Sequence, residues 1–145
     1  MDGQKFHVWQ PTANILKGDR IYHFEMSTEN GIIISLTDQY GTTVDVVYDQ
    51  ASQEIGDYVW LLRYSNKTSL SDSLVQLLEE AEKNKPIPDP NGPCFFKITN
   101  SHLIEWFYQA GHIIPSMEHH LFPVSNGVID IVSDYEPKFI VKKKN

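Results

Sequence analysis

The apolar positions of this chain change their period partway along it. In the first half they fall every second residue or in short β-branched runs. These are residues 21–26 (IYHFEM), 31–36 (GIIISL), 43–49 (TVDVVYD) and 57–64 (DYVWLLRY). Runs of this kind, bounded by turn residues, predict strands. Glu29-Asn30-Gly31 and Gln39-Tyr40-Gly41 supply the turns. Residues 43–49 alternate most cleanly. Val44, Val46 and Tyr48 share one face, while Asp45, Val47 and Asp49 share the other, which suits a strand with one face on a core and the other partly wet. Residues 57–64 are apolar on both faces up to Arg63 and are expected to lie centrally. The four runs together predict an antiparallel meander.

The period then changes to helical. Leu70, Leu74, Leu77, Leu78 and Ala81 fall on one stripe, with Glu79, Glu80 and Glu82 opposite. Ser69 is a good cap for this helix, Asp72 follows at capping-box spacing, and Pro86 ends it. Residues 85–93 (KPIPDPNGP) hold four prolines in nine positions. They predict a stiff loop inside one domain, because the roughly fifty residues beyond them make a marginal core alone. A second helix is expected to start at Asn100 or Ser101, either a good N-cap. Leu103, Ile104, Phe107 and Ala110 form its apolar side. Gly111 is a natural C′ residue, and Pro115 lies just beyond.

Residues 117–124 and 128–132 flank Asn126-Gly127, the strongest short hairpin signal. A two-residue loop there predicts a register in which Val124 faces Ile129, Leu121 faces Val132 and His119 faces Asp134. Pro123 must then fall at an edge or a bulge.

The fold class expected is α+β: an antiparallel sheet of five or more strands, two helices packed on it and a C-terminal β-hairpin. Residues 1–145 are expected to form a single domain. Apolar residues make up 41% and aromatics 12%, ample for a core. The net charge is −7. Three of the twelve basic residues are Lys142 to Lys144, so residues 1–141 carry nine basic and nineteen acidic side chains, a net of −10. Such a body repels phosphate backbones, so no nucleic-acid partner is expected, and a basic protein partner would be attracted. No N-terminal apolar leader and no stretch of about 20 apolar residues occurs, so no membrane partner is expected and the location expected is cytoplasmic, although a protein exported by a signal-free route would look the same.

Recognisable chemistry is sparse. Cys94 is the only cysteine. It opens an apolar run and is expected to be a buried small residue. His119 and His120 are adjacent in a strand and point to opposite faces, so no metal site is expected. No phosphate-binding glycine loop or nucleophile elbow is present, and no cofactor is expected. Trp60 and Trp106 lie in apolar runs and are assigned to the core. Trp9 lies in a polar stretch where burial is less assured.

The segments SHLIEWF (101–107), EHH (118–120) and GVIDIVSDYEPKFI (127–140) resemble small uncharacterised proteins of Gram-positive bacteria. In size, acidity and architecture the chain is similar to the immunity proteins that neutralise bacterial toxins. That resemblance implies a non-catalytic protein-binding domain that occludes a basic partner. The residues expected to bind that partner are Asp45, Asp49 and Asp57, with Tyr48 and Tyr58 as aromatic anchors. The alternative expectation is a small enzyme with a carboxylate or histidine site, or a structural subunit.

Overall fold

The computed structural model describes residues 3–142 except 14, 19, 52–55, 67, 69, 71–74, 77, 81–92 and 113–115. The described residues form nine strands: β1 (Lys5–Trp9), β2 (Ile21–Ser27), β3 (Ile32–Asp38), β4 (Thr43–Tyr48), β5 (Leu61–Asn66), β6 (Phe95–Thr99), β7 (Glu118–Val124), β8 (Gly127–Ser133) and β9 (Lys138–Lys142). They form two antiparallel sheets, one of order β1-β6-β7-β8-β5 and one of order β2-β3-β4-β9. The architecture is mostly β. This corrects the expected α+β fold, with its one sheet of five or more strands and two packed helices.

The two sheets face each other across one core. Ile34, Leu36, Val44, Val46 and Tyr48 of the four-stranded sheet pack with Phe95, Phe122, Ile129 and Ile131 of the five-stranded one. Alternation explains the layering. In β4 the residues expected inward, Val44, Val46 and Tyr48, have no exposed surface at all. The meander β2-β3-β4 forms as the pattern predicts. The chain then leaves it, because β5 pairs with β8 in the other sheet. β5 is an edge strand and begins at Leu61, so the central strand expected over residues 57–64 is corrected on both counts.

The outer face of the five-stranded sheet is covered too. Leu78, from a short helical stretch that includes residues 78–80, packs on Phe96, Ile98, Leu121 and Val128. The helix His102–Gln109 sets Phe107 against Met117 and Val132. Covered on both sides, β8 is buried along its whole length. The remainder of the helix expected over 69–81 and most of the proline-rich loop lie outside the described residues. Among the described residues no helix is long and apolar enough to cross a membrane.

The β7–β8 hairpin forms, but in a different register. Val124 faces Gly127, so the turn is Ser125-Asn126. Leu121 faces Asp130 and His119 faces Val132, which corrects both expected pairs. The reason lies in β5. A Cβ on Gly127 would sit 2.1 Å from the Ser65 carbonyl oxygen. The glycine is therefore required in the strand, where β5 approaches closely, and not in the turn. Pro123 lies beyond Leu121, the last β7 residue paired with β6. It thus has a partner strand on one side only, consistent with its missing N–H.

Candidate functional site

His119 and His120 do point to opposite faces of β7, and each is gripped in the same way. On the outer face, His119 Nε2 lies 2.7 Å from Asp130 Oδ1, and its Nδ1 lies 2.7 Å from Ser101 Oγ. On the inner face, His120 Nε2 lies 2.8 Å from Glu118 Oε1, and its Nδ1 lies 2.7 Å from Tyr48 Oη. An ionised carboxylate only accepts, so each Nε2 carries the proton. In the neutral imidazole each Nδ1 is then the acceptor, and the hydroxyls of Ser101 and Tyr48 donate to it. The molecule holds two relays of hydroxyl, imidazole and carboxylate, back to back through one strand.

The sheet register builds the outer relay. Asp130 stands directly opposite Leu121, one diagonal step from His119, within reach of long side chains. On its other side Asp130 faces Arg63 of β5, whose Nη2 donates to Oδ2 at 2.9 Å. Asp130, His119 and Ser101 are all buried. Burial alone would raise the Asp130 carboxyl, but the hydrogen bonds and charges of His119 and Arg63 outweigh it and hold it below its ordinary 3.8.

Ser101 comes from the other side of the sheet edge. β6 ends at Thr99, Asn100 turns the chain at φ +52°, and Ser101 opens the helix. That φ is left-handed, a region Asn tolerates better than most residues. The Asn100 side chain ties back to the Gly3 carbonyl at 3.0 Å. Ser101 caps the helix as expected, its Oγ accepting the Ile104 N–H at 3.2 Å. One hydroxyl therefore accepts from the helix and donates to His119.

In the inner relay the hydroxyl and the imidazole are fully buried, while the carboxylate, Glu118, is 39% exposed. Tyr48 is wholly buried, and desolvation raises its phenol well above 10.0. Burial lowers His120 from 6.5 against the pull of Glu118. Glu118 in turn is held below 4.5, chiefly by its hydrogen bond to His120. Lys97, opposite His120 on β6, pairs with Glu118 and Glu136 and lies 5.1 Å above the Trp9 ring.

A cleft of about 600 Å³ opens beside the outer relay. Ser101 and His119 lie in its lining, with Asn100, Ile104, Glu105 and Tyr108 around them. The helix that forms one wall exposes Trp106 at 58% and Tyr108 at 38%. Trp106 is therefore not the core residue its apolar run implied. Trp60 is half-buried and packs against Phe107 with ring centroids 5.6 Å apart. Trp9 is half-buried against Phe122 and Phe139. Cys94 is buried, as its run implied.

The residues expected to bind a partner do not form one open acidic face. Tyr48 is in the core and cannot anchor anything from outside. The alternation that put it beside Val44 and Val46 already carried that signal. Asp45 is half-buried, accepts from Ser35 Oγ at 2.6 Å and lies 3.9 Å from Lys142. Asp49 is paired with Lys138 at 3.0 Å. Both lysines belong to β9, a strand the sequence reading missed. Asp57 is exposed and accepts the Tyr58 N–H at 2.7 Å. Tyr58 is half-buried, and its carbonyl accepts from the Tyr135 hydroxyl, whose own pKa burial pushes up to about 12.

Among the described residues no group of three or more His, Cys, Asp and Glu could hold a metal ion. No family model matches the chain, and no curated protein or solved structure is significantly similar to it.

Proposed function

We propose that the chain is a protein-binding domain that occludes a basic partner, in the manner of immunity-type inhibitors of bacterial toxins. The contact surface is the exposed side of the helix His102–Gln109 with the adjoining rim of the cleft. The observation that carries this reading is Trp106. It is an indole 58% exposed on a domain whose other large aromatics are mostly packed. Tryptophan and tyrosine are the residues that most often anchor interfaces. Glu105 stands beside Trp106, and Tyr108 lies on the same exposed stretch. The net charge of −7 supports attraction of a basic partner. Asp49 and Asp57 contribute to that field, while the anchoring role passes from Tyr48 to Trp106.

The test is titration of the purified chain against the product of the adjacent reading frame. A complex that Trp106→Ala weakens by about 30-fold, or about 2 kcal/mol, is the expected result. Tyr22→Ala, at another exposed tyrosine, should leave affinity unchanged. No complex, or one indifferent to Trp106, overturns the reading.

A further inference from the structure

We infer that Ser101 is a nucleophile, activated by His119 and Asp130, and that the cleft beside it receives a small carboxylic ester. This goes beyond the protein-binding reading and does not depend on it. A capping serine needs only the helix N–H it accepts, and Ile104 supplies that. The second hydrogen bond, 2.7 Å to an imidazole, adds a general base to the hydroxyl. The third member, Asp130 at 2.7 Å from His119 Nε2, fixes the ring and its tautomer. Arg63 holds the carboxylate in place from β5. The imidazole here uses Nδ1 for the serine and Nε2 for the carboxylate. That order serves equally, because the chemistry needs one nitrogen that accepts and one that donates.

The inner relay is an internal contrast. Tyr48, His120 and Glu118 repeat the same sequence of groups, but the Tyr48 hydroxyl is sealed between the two sheets. Ser101 and His119 instead line a cleft of about 600 Å³. That volume falls in the range of small-molecule sites. Its lining is mixed: Thr99, Asn100, Glu105 and Tyr108 bring polar groups, and Ile98, Ile104 and Met117 apolar ones.

The steps balance without any group from outside except water. Ser101 Oγ attacks the ester carbonyl as its proton passes to His119 Nδ1, and the imidazolium is stabilised by Asp130. The carbon–oxygen bond to the alcohol breaks, and the alcohol leaves with the proton from Nδ1. Water then attacks the acyl-serine, giving its proton to Nδ1. The serine–acyl bond breaks, the acid departs, and Ser101 Oγ recovers the proton. The Asn100 carboxamide, in the same lining, gives one N–H to the Gly3 carbonyl and has a second for the negative charge that develops on the carbonyl oxygen. The N-terminal end of the helix dipole favours that charge further.

The test is reaction of the intact chain with a fluorophosphonate and with p-nitrophenyl acetate, followed by intact mass and peptide mapping. One adduct, on Ser101, is expected. His119→Gln should slow its formation by about a hundredfold or more, and Asp130→Asn by about tenfold or more. If His119→Gln does not fold, Ser101→Thr serves: it keeps the capping hydroxyl but hinders attack, so the folded variant should label at least about tenfold more slowly. Tyr22→Ala, at an exposed tyrosine outside both sites, should label at the parent rate. Labelling needs no partner protein, so its outcome is independent of the protein-binding reading. A folded parent chain with no adduct, an adduct only on other residues, or a Ser101 adduct whose rate ignores both His119→Gln and Ser101→Thr overturns the inference.

Discussion

The two faces of β7 solve one problem with different materials. On each, a buried imidazole needs a donor and an acceptor. His120 takes its donor from the opposite sheet and its acceptor, Glu118, from two residues back on its own strand. His119 takes its donor from the start of a helix and its acceptor from the neighbouring strand. The inner relay therefore ties sheet to sheet. The outer relay ties helix, β7, β8 and β5 together at a cleft. The difference shows that a hydroxyl–imidazole–carboxylate set is not by itself a site. What distinguishes the two is whether the hydroxyl faces a space that another molecule can enter.

The carboxylates should respond most unequally to loss. Asp130→Ala strips a partner from His119 and from Arg63 in a buried setting. It should cost about 3–5 kcal/mol, read from urea unfolding. Glu118 is 39% exposed, and Glu118→Ala should cost about 1–3 kcal/mol, for the buried Nε2–H of His120 that it leaves unpaired. Equal losses would mean the two relays are equally deep.

The hydroxyls come next. Tyr48→Phe leaves His120 Nδ1 buried and unpaired, at about 1–3 kcal/mol. Ser101→Ala removes a cap, at about 1 kcal/mol, and should act mainly on the helix. Hydrogen exchange on residues 102–109 would show the second effect locally, whereas Tyr48→Phe should loosen both sheets.

Acid should separate the faces by a smaller difference. The folded-state pKa of His120 lies below 6.5. Its contribution is complete above that value and is lost as pH falls toward the lowered one. The groups facing it are Tyr48, Glu118 and Lys97. The folded-state pKa of Asp130 lies below 3.8, so its contribution persists above that value and is lost as pH falls through the lowered one. Urea midpoints from pH 8 to pH 3 should therefore show two phases of loss. His120→Gln should abolish the upper one and also weaken the lower, to which Glu118 contributes through its bond to His120, whereas Asp130→Asn should weaken the lower alone.

Parts of this were legible in the chain. The opposite facing of the histidines follows from the period of a strand, and the Ser101 cap follows from residue type and position. The burial of Tyr48 was written in its alternation with Val44 and Val46, although its polar tip drew it toward the surface. The second sheet was not legible. β1 and β9 are five residues each; β1 carries Lys, His or Trp at three positions and β9 carries Lys at both ends, so neither reads as a buried run. Nor was the partner of Asp130 legible. It depends on the register of the hairpin, and Asn126-Gly127 pointed to the wrong one.

That error has a use. The expected and observed registers of β7 and β8 differ by two residues, an even step that leaves every side chain on its own face. Apolar patterning alone therefore cannot tell one from the other. The polar groups can. Only the observed pairing brings His119 to Asp130 while Arg63 closes on the other oxygen. In the slipped hairpin that carboxylate would be sealed in without its imidazole, a fault worth several kcal/mol. While the chain is still searching, such a fault makes the wrong hairpin short-lived. The outer relay thus supplies what apolar patterning lacks, a preference for the observed register over an even-step slip.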